Sequence, residues 1–312
     1  MYKKKVLYIL LAVFLLCMAL STFASCDEDN YYEELQDVTN TINNSSLGDN
    51  DLVLKIERFM SQDWGEYDLQ DGDCYGEYYF QVKNYNRKIL ITNLKSKEFL
   101  GSVELDANSK NHCNTVSFSR LFYDKDDDFP LLYVSGSMDG KYNHVQVYRI
   151  QRMEYLFSFT KIQEITLPQC NQKNHLYWTG AVMDNENGFM YVYANDGGAH
   201  IAKFSIPNIL QENVILTDED ILEQFSLPGF THQQGAVIRK GLLYVMDGVP
   251  QSGDTNYLRI IDLINKKDCE MINISALGYG NIEFESLSYY EDCFITASSG
   301  YHGVFSIHFL KK

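Results

Sequence analysis

Five polar residues recur at one kind of place in this sequence. Asp71, Asn114, Thr179, Gln234 and Glu285 each stand directly before a small residue: Gly72, Thr115, Gly180, Gly235 and Ser286 respectively. Two positions earlier lie His112, Tyr177, His232 and Glu283, with Leu69 as the exception. Residues two apart share one face of an extended strand. Asp71, Glu283 and Glu285 are carboxylates, and two of these at a suitable separation suffice for acid–base hydrolysis of a glycosidic bond. His112, His232 and Glu283 are metal-ligand types, but they come from separate segments and need not converge, so no metal is expected. The same groups can bind a polar ligand without altering it. They can also bond only to one another and to water, locking neighbouring elements in register. Trp178, two residues before Gly180, adds an aromatic surface beside the set.

The elements that must position these residues repeat. The segment "FTHQQGAVIRKGLLYVMDG" (230–248) reads as polar pair, small residue, apolar pair, turn and β-prone run. Related segments are "LQDGDCYGEYYFQV" (69–82), "HCNTVSFS" (112–119) with "LLYVSG", "YWTGAVM" (177–183) with "FMYVYAND", and "EFESLSY" (283–289) with "CFITASSG". A third strand-like run follows each copy: "ILITNL", "HVQVYRI", "HIAKFSI", "YLRIIDL" and "GVFSIHF". A fourth follows in four copies: "FLGSVEL", "FTKIQEITL", "EQFSLP" and "CEMINIS". Amphipathic helical periodicity is nearly absent, so the chain is predicted to be all-β.

Five copies of four strands predict a five-bladed β-propeller over residues 51–312. The last copy lacks its fourth strand, and "LVLKIER" (52–58) is left over. That N-terminal segment is therefore predicted to close the last blade and cover an otherwise open edge. The small residues are expected on inner strands, where five backbones crowd one axis. "TDEDILEQF" (217–225) is read as a short helix and "YDKDDDF" (123–129) as a solvated turn. The 23 tyrosines suit strands half-buried between blades.

Residues 1–25 pair a basic start, "MYKKK", with the apolar run "VLYILLAVFLLCMALSTFA", and small residues precede Cys26. This pattern is read as a signal peptide. Residues 26–50 are acidic and rich in Asn and Ser, and are read as a flexible tether. The net charge is −16, and falls to −19 once Lys3, Lys4 and Lys5 leave with the signal. Such a body is repelled by nucleic acid and by anionic headgroups. No later apolar run reaches the roughly 18–20 residues that span a bilayer. Five cysteines remain in the body, an odd number without C-x-x-C spacing, and no disulfide framework is expected. No nucleophile triad, phosphate loop or calcium loop is present, and no cofactor is expected.

The Ala24-Ser25-Cys26 step resembles the lipobox of bacterial lipoproteins, which implies acylation of Cys26. Asp27, Glu28 and Asp29 resemble the export signal of Bacteroidetes-type surface lipoproteins, which implies anchoring in the outer membrane facing outward. The Q-x-G and H-x-N blade starts resemble those of exported bacterial five-bladed propellers. Helveticin-like and phage receptor-binding propellers are more distantly similar. The resemblance implies the fold and leaves the activity open. The function expected is recognition of a glycan or protein ligand at the cell envelope by a monomer, with Asp71, Asn114, Thr179, Gln234, Glu285, His112, His232 and Trp178 as ligand-binding candidates. The alternative is a glycoside hydrolase using Asp71, Glu283 and Glu285, although the motifs of arabinanases, xylosidases and sialidases are absent.

Overall fold

The computed structural model describes residues 52–61, 69–83, 88–105, 112–138, 142–154, 156–168, 180–195, 199–230, 232–299 and 303–311. Residues 1–50, read from the sequence as a signal peptide and a tether, lie outside the described residues, as do Tyr177, Trp178, Thr179 and the His112 side chain.

The first strand, β1 (Leu52–Met60), joins the end of the chain rather than its sequence neighbours. Blade 1 then runs β2 (Leu69–Tyr75), β3 (Tyr78–Lys83), β4 (Lys88–Asn93) and β5 (Glu98–Glu104). Blade 2 runs β6 (His112–Phe118), β7 (Leu132–Met138), β8 (Tyr142–Met153) and β9 (Leu156–Thr166). Blade 3 has β10 (Gly180–Asp184), β11 (Phe189–Asn195) and β12 (Ala199–Ser205). The chain then gives β13 (Asn213–Ile215) before the blade's outer strand, β14 (Ile221–Leu227). Blade 4 is β15 (Gln233–Arg239), β16 (Leu242–Asp247), β17 (Tyr257–Asp262) and β18 (Lys267–Asn273). Blade 5 is β19 (Ser288–Tyr290), β20 (Cys293–Ala297) and β21 (Val304–Lys311), closed by β1. The architecture is a five-bladed β-propeller, each blade built on four antiparallel strands.

The closing pair runs antiparallel from Leu52 opposite Lys311 to Met60 opposite Val304. It satisfies the outer edge of the last blade with backbone from the other end of the chain. Inner strands touch their neighbours all round the ring: β2 with β6, β6 with β10, β10 with β15, β15 with β19 and β19 with β2.

The core lies between blades rather than at the axis. Phe80, Val82 and Ile91 of blade 1 pack on Val116, Phe118 and Leu132 of blade 2. Val145 and Ile165 of blade 2 meet Ala181 and Val192 of blade 3, and Tyr191 and Ile201 of blade 3 meet Leu243 and Val245 of blade 4. Blades 4 and 5 join through Tyr244 and Phe294, with ring centroids 4.6 Å apart. The second strand of a blade is covered on both faces, so "LLYVMD" of β16 is apolar almost throughout and entirely buried. Each such Leu or Phe contributes about 1.5–3 kcal/mol of apolar burial.

Two sequence expectations change. "TDEDILEQF" is not a helix: a 3₁₀ turn at Asp218–Asp220 is followed directly by β14. Thr217 does cap this turn, its N–H and hydroxyl both donating to Asp220 Oδ2, at 2.7 and 2.9 Å. Burial in Ile221–Leu227 alternates with period two, and this pattern wins over the cap. The second change is β13, which the repeat did not anticipate. It pairs in parallel with β9 and makes the second sheet five-stranded. "YDKDDDF" is an exposed turn through Asp126, and beyond it Asp127 accepts both Arg149 Nε and Nη2.

Cys74, Cys113, Cys269 and Cys293 are free thiols. Among the described residues no helix is long and apolar enough to cross a membrane.

Candidate axial binding site

The four described polar residues of the repeat, Asp71, Asn114, Gln234 and Glu285, sit at β-bulges. In blade 1, Leu69 opposes Lys83 while Gly72 opposes Gln81, so one extra residue is held between them. The same slip occurs at Asn114, between the pairs Cys113–Gly136 and Thr115–Ser135. In blade 4 it falls between Gln233–Asp247 and Ala236–Val245. In blade 5, the bridge Phe284–Ser298 and the pair Ser288–Ile295 leave one extra residue on the inner segment. A bulge re-aims the side chain it carries. Asp71, Asn114, Gln234 and Glu285 are therefore presented to the axis by a local insertion rather than by strand alternation. This corrects the expectation that residues two apart share a face there: His232, Gln233 and Gln234 all line one cavity.

That cavity is about 290 Å³ and is lined from every blade: Gln70, Asn114 and Thr115, Tyr193, the His232–Gln234 run with Val249, and Glu283 with Glu285. Gln234 Nε2 donates to Glu283 Oε1 at 3.2 Å, and Ser299 Oγ donates to Glu283 Oε2 at 3.0 Å. His232 Nδ1 lies 2.6 Å from Asp254 Oδ2, which also accepts the Val249 amide at 3.0 Å. His232 is thus fixed by Asp254 and not joined to Glu283. Of the three metal-ligand types His112, His232 and Glu283, the structure describes the side chains of the last two only.

Asp71 is not among the lining residues. It is 1 % exposed and forms the floor. Its Oδ1 accepts the amides of Gly72 at 2.9 Å and Leu287 at 3.2 Å, and its Oδ2 accepts that of Val116 at 3.2 Å. Blade 1 is thereby tied to blades 5 and 2 by one carboxylate. Asp73 repeats the arrangement two residues along the strand, accepting from Ser288 Oγ at 2.7 Å and Phe118 N at 2.7 Å. Burial pushes the Asp71 carboxyl well above its usual range, the Val116 and Gly72 amides pull it back, and the Asp73 charge raises it further. Burial likewise raises Asp73. On the other side of the ring, Thr115 Oγ1 accepts the Ala181 amide at 2.9 Å and donates to its carbonyl at 3.1 Å.

The small residues of the repeat have two different causes. A Cβ on Gly235 would overlap Asp71 Oδ1 and the backbone of Ser286 and Leu287, so here the axis itself is crowded. A Cβ on Gly72 would instead meet the ring of Tyr79, and one on Gly180 the ring of Tyr193. These rings come from the next strand of the same blade and reach across it. Tyr79 Oη lies 2.7 Å from Ser286 Oγ, and Tyr193 Oη donates to the Gln234 carbonyl at 3.0 Å. Gln70, Gln233, Tyr193 and Asp254 were not singled out in the sequence. "LQDG" beside "HQQG" does carry the hint for the first two.

Among the described residues no Lys or Arg lines the cavity. Amides, carboxylates and an imidazole over a polar floor can hydrogen-bond hydroxyls, amides or a cationic group, and disfavour an anion.

No family model matches the sequence, and no curated protein matches it. Solved structures do resemble it in shape. A glutaminyl cyclase from Myxococcus xanthus superposes with a TM-score of 0.53 at 9% identity, covering 84% of this chain and 97% of that one. A catalytically inactive virginiamycin B lyase from Staphylococcus aureus gives 0.45 at 10% identity, covering 82% of this chain and 99% of that one. The chain shares the propeller fold. At such identity the likeness concerns the fold alone.

Proposed function

We propose that the protein is a recognition module whose axial cavity binds a neutral or cationic hydroxyl-bearing ligand, with a glycan terminus as the best fit. The observation that carries this reading is the lining itself: side-chain amides from Gln70, Asn114, Gln233 and Gln234 with the carboxylates of Glu283 and Glu285, and no Lys or Arg among the described residues. Planar amides and carboxylates offer paired donors and acceptors that suit vicinal hydroxyls. The volume, at the low end for ligand pockets, favours one terminal unit over a chain threaded through. Thr179, His112 and Trp178 remain candidates for this site from the sequence repeat.

We also propose that Cys26 is acylated and holds the domain at the outer membrane, facing outward. The support is the sequence pattern of residues 1–29. A surface position would bring the cavity to extracellular glycans or to a protein partner.

Glycoside hydrolysis is the second reading, favoured by two carboxylates lining one cavity. Asp71 does not serve it, because both its oxygens are engaged by backbone amides. One experiment separates the two: the purified full chain is offered a glycan panel, and retention and release of new reducing ends are both recorded. Retention without release supports recognition. Release that Glu285→Gln abolishes supports hydrolysis. Neither retention nor release sinks the glycan reading.

A further inference from the structure

Blade 5 carries a second cluster of chemically able side chains, at the end of the inner strand away from the cavity. The turn between β19 and β20 holds Asp292, and β20 begins at Cys293. Phe294 opposes Ile307 across β20 and β21. Continuing that register by one step puts Cys293 opposite His308, so their side chains leave the sheet on the same face. Ligand atoms of Asp292, Cys293 and His308 lie within 4.8 Å of one another. They form the one such group of metal-ligating types among the described residues.

We propose that Asp292, Cys293 and His308 form a binding site for a borderline transition-metal ion, with Zn²⁺ as the ion of best fit. A thiolate, an imidazole and a carboxylate are the three ligand classes that Zn²⁺ accepts, and three protein ligands leave a fourth position for water. The hard all-oxygen preference of Ca²⁺ and Mg²⁺ is poorly met. Two of the three ligands stand on paired strands, so their spacing is set by the sheet rather than by a loop. The Ser306 hydroxyl, 3.1 Å from His308 Nε2, steadies the imidazole. Burial grades outward from Cys293, 5 % exposed, through His308 to the exposed Asp292, which gives an ion a path from solvent. The neighbouring cation does not occupy the carboxylate: Lys55, opposite His308 on β1, pairs with Glu57 at 2.8 Å. On binding, the Cys293 S–H proton passes to solvent, the sulfur–metal bond forms, and the weak S–H contact to the Tyr290 carbonyl at 3.5 Å is given up. No redox step is involved.

The test is a titration of the reduced full chain with Co²⁺, a spectroscopic stand-in for Zn²⁺. The expected result is a thiolate-to-cobalt charge-transfer band that saturates near about one equivalent and is displaced by Zn²⁺. Cys293→Ser abolishes the band and Cys269→Ser keeps it. Should Cys293→Ser disturb folding, His308→Ala and Asp292→Asn decide, each weakening Co²⁺ by roughly 10-fold or more. A titration without a band overturns the proposal. So does a band that persists at unchanged affinity in both His308→Ala and Asp292→Asn. Neither result bears on the axial cavity, whose lining shares no residue with this cluster.

Discussion

Asp71 and Glu285 occupy equivalent places in two copies of one repeat, yet they belong to different parts of the molecule. Glu285 lines the mouth of the axial cavity, and Asp71 lies beneath it with its oxygens taken up by amides from its own strand and from blades 2 and 5. The contrast shows that a polar side chain at the axis of a propeller is not by itself a sign of a site. Below the mouth, polarity satisfies backbone groups that the crowding of five inner strands cuts off from water. At the mouth, the same residue types border the cavity, Glu285 among them although it is only 4 % exposed. One position decides between the roles: in blade 1 the residue left at the mouth is Gln70, the one before Asp71.

The sharpest way to break this comparison is to remove the floor. Asp71→Ala leaves three buried amides without acceptors and should cost on the order of 3–5 kcal/mol in urea denaturation. A loss under about 1 kcal/mol would show that the floor is not a lock. Gly235→Ala comes next. Its Cβ would press on the Asp71 carboxylate and the Ser286 backbone, and about 1–3 kcal/mol of destabilisation is expected. Equal stability of the two proteins would contradict the packing described.

A smaller effect tests the state of the Asp71 carboxyl. Burial raises it above its usual 3.8, so the folded chain keeps this proton after the unfolded chain has lost it. The unfolded state then binds fewer protons, and stability falls as pH rises from about 3.8 through the raised value. Stability curves of wild type and Asp71→Asn should therefore converge or cross as pH rises, with the wild type losing more. A wild type that gains on Asp71→Asn over that range would reverse the sign. The smallest stability effect is expected at the mouth: Gln234→Ala should move the midpoint by about 0.5 kcal/mol or less, its weight falling on binding.

Much of this was legible in the sequence because a propeller repeats its signals. Alternating apolar runs gave the strands, and the unpaired "LVLKIER" gave the closing strand, since five blades with one outer strand missing leave a single place for it. The bulges were not legible. They depend on which residue opposes which across two strands, and that pairing shifts without changing composition. The division between floor and mouth follows from the bulges and stayed hidden with them. Gly72 and Gly180 were recognised as small for the right place and for an incomplete reason, because the rings of Tyr79 and Tyr193 lie a strand away. The "NVI" of β13 is three residues long and pairs in parallel with a distant strand, which no local pattern announces.

The central claim is that this repeat builds a lock below and a recognition site above. Its most direct test is the affinity of a retained glycan for wild type and for the double variant Gln234→Ala, Glu283→Gln, with the denaturation midpoint of each. The account predicts at least about a 10-fold loss of affinity, or roughly 1.4 kcal/mol, with the midpoint held. Unchanged affinity in the double variant would contradict it.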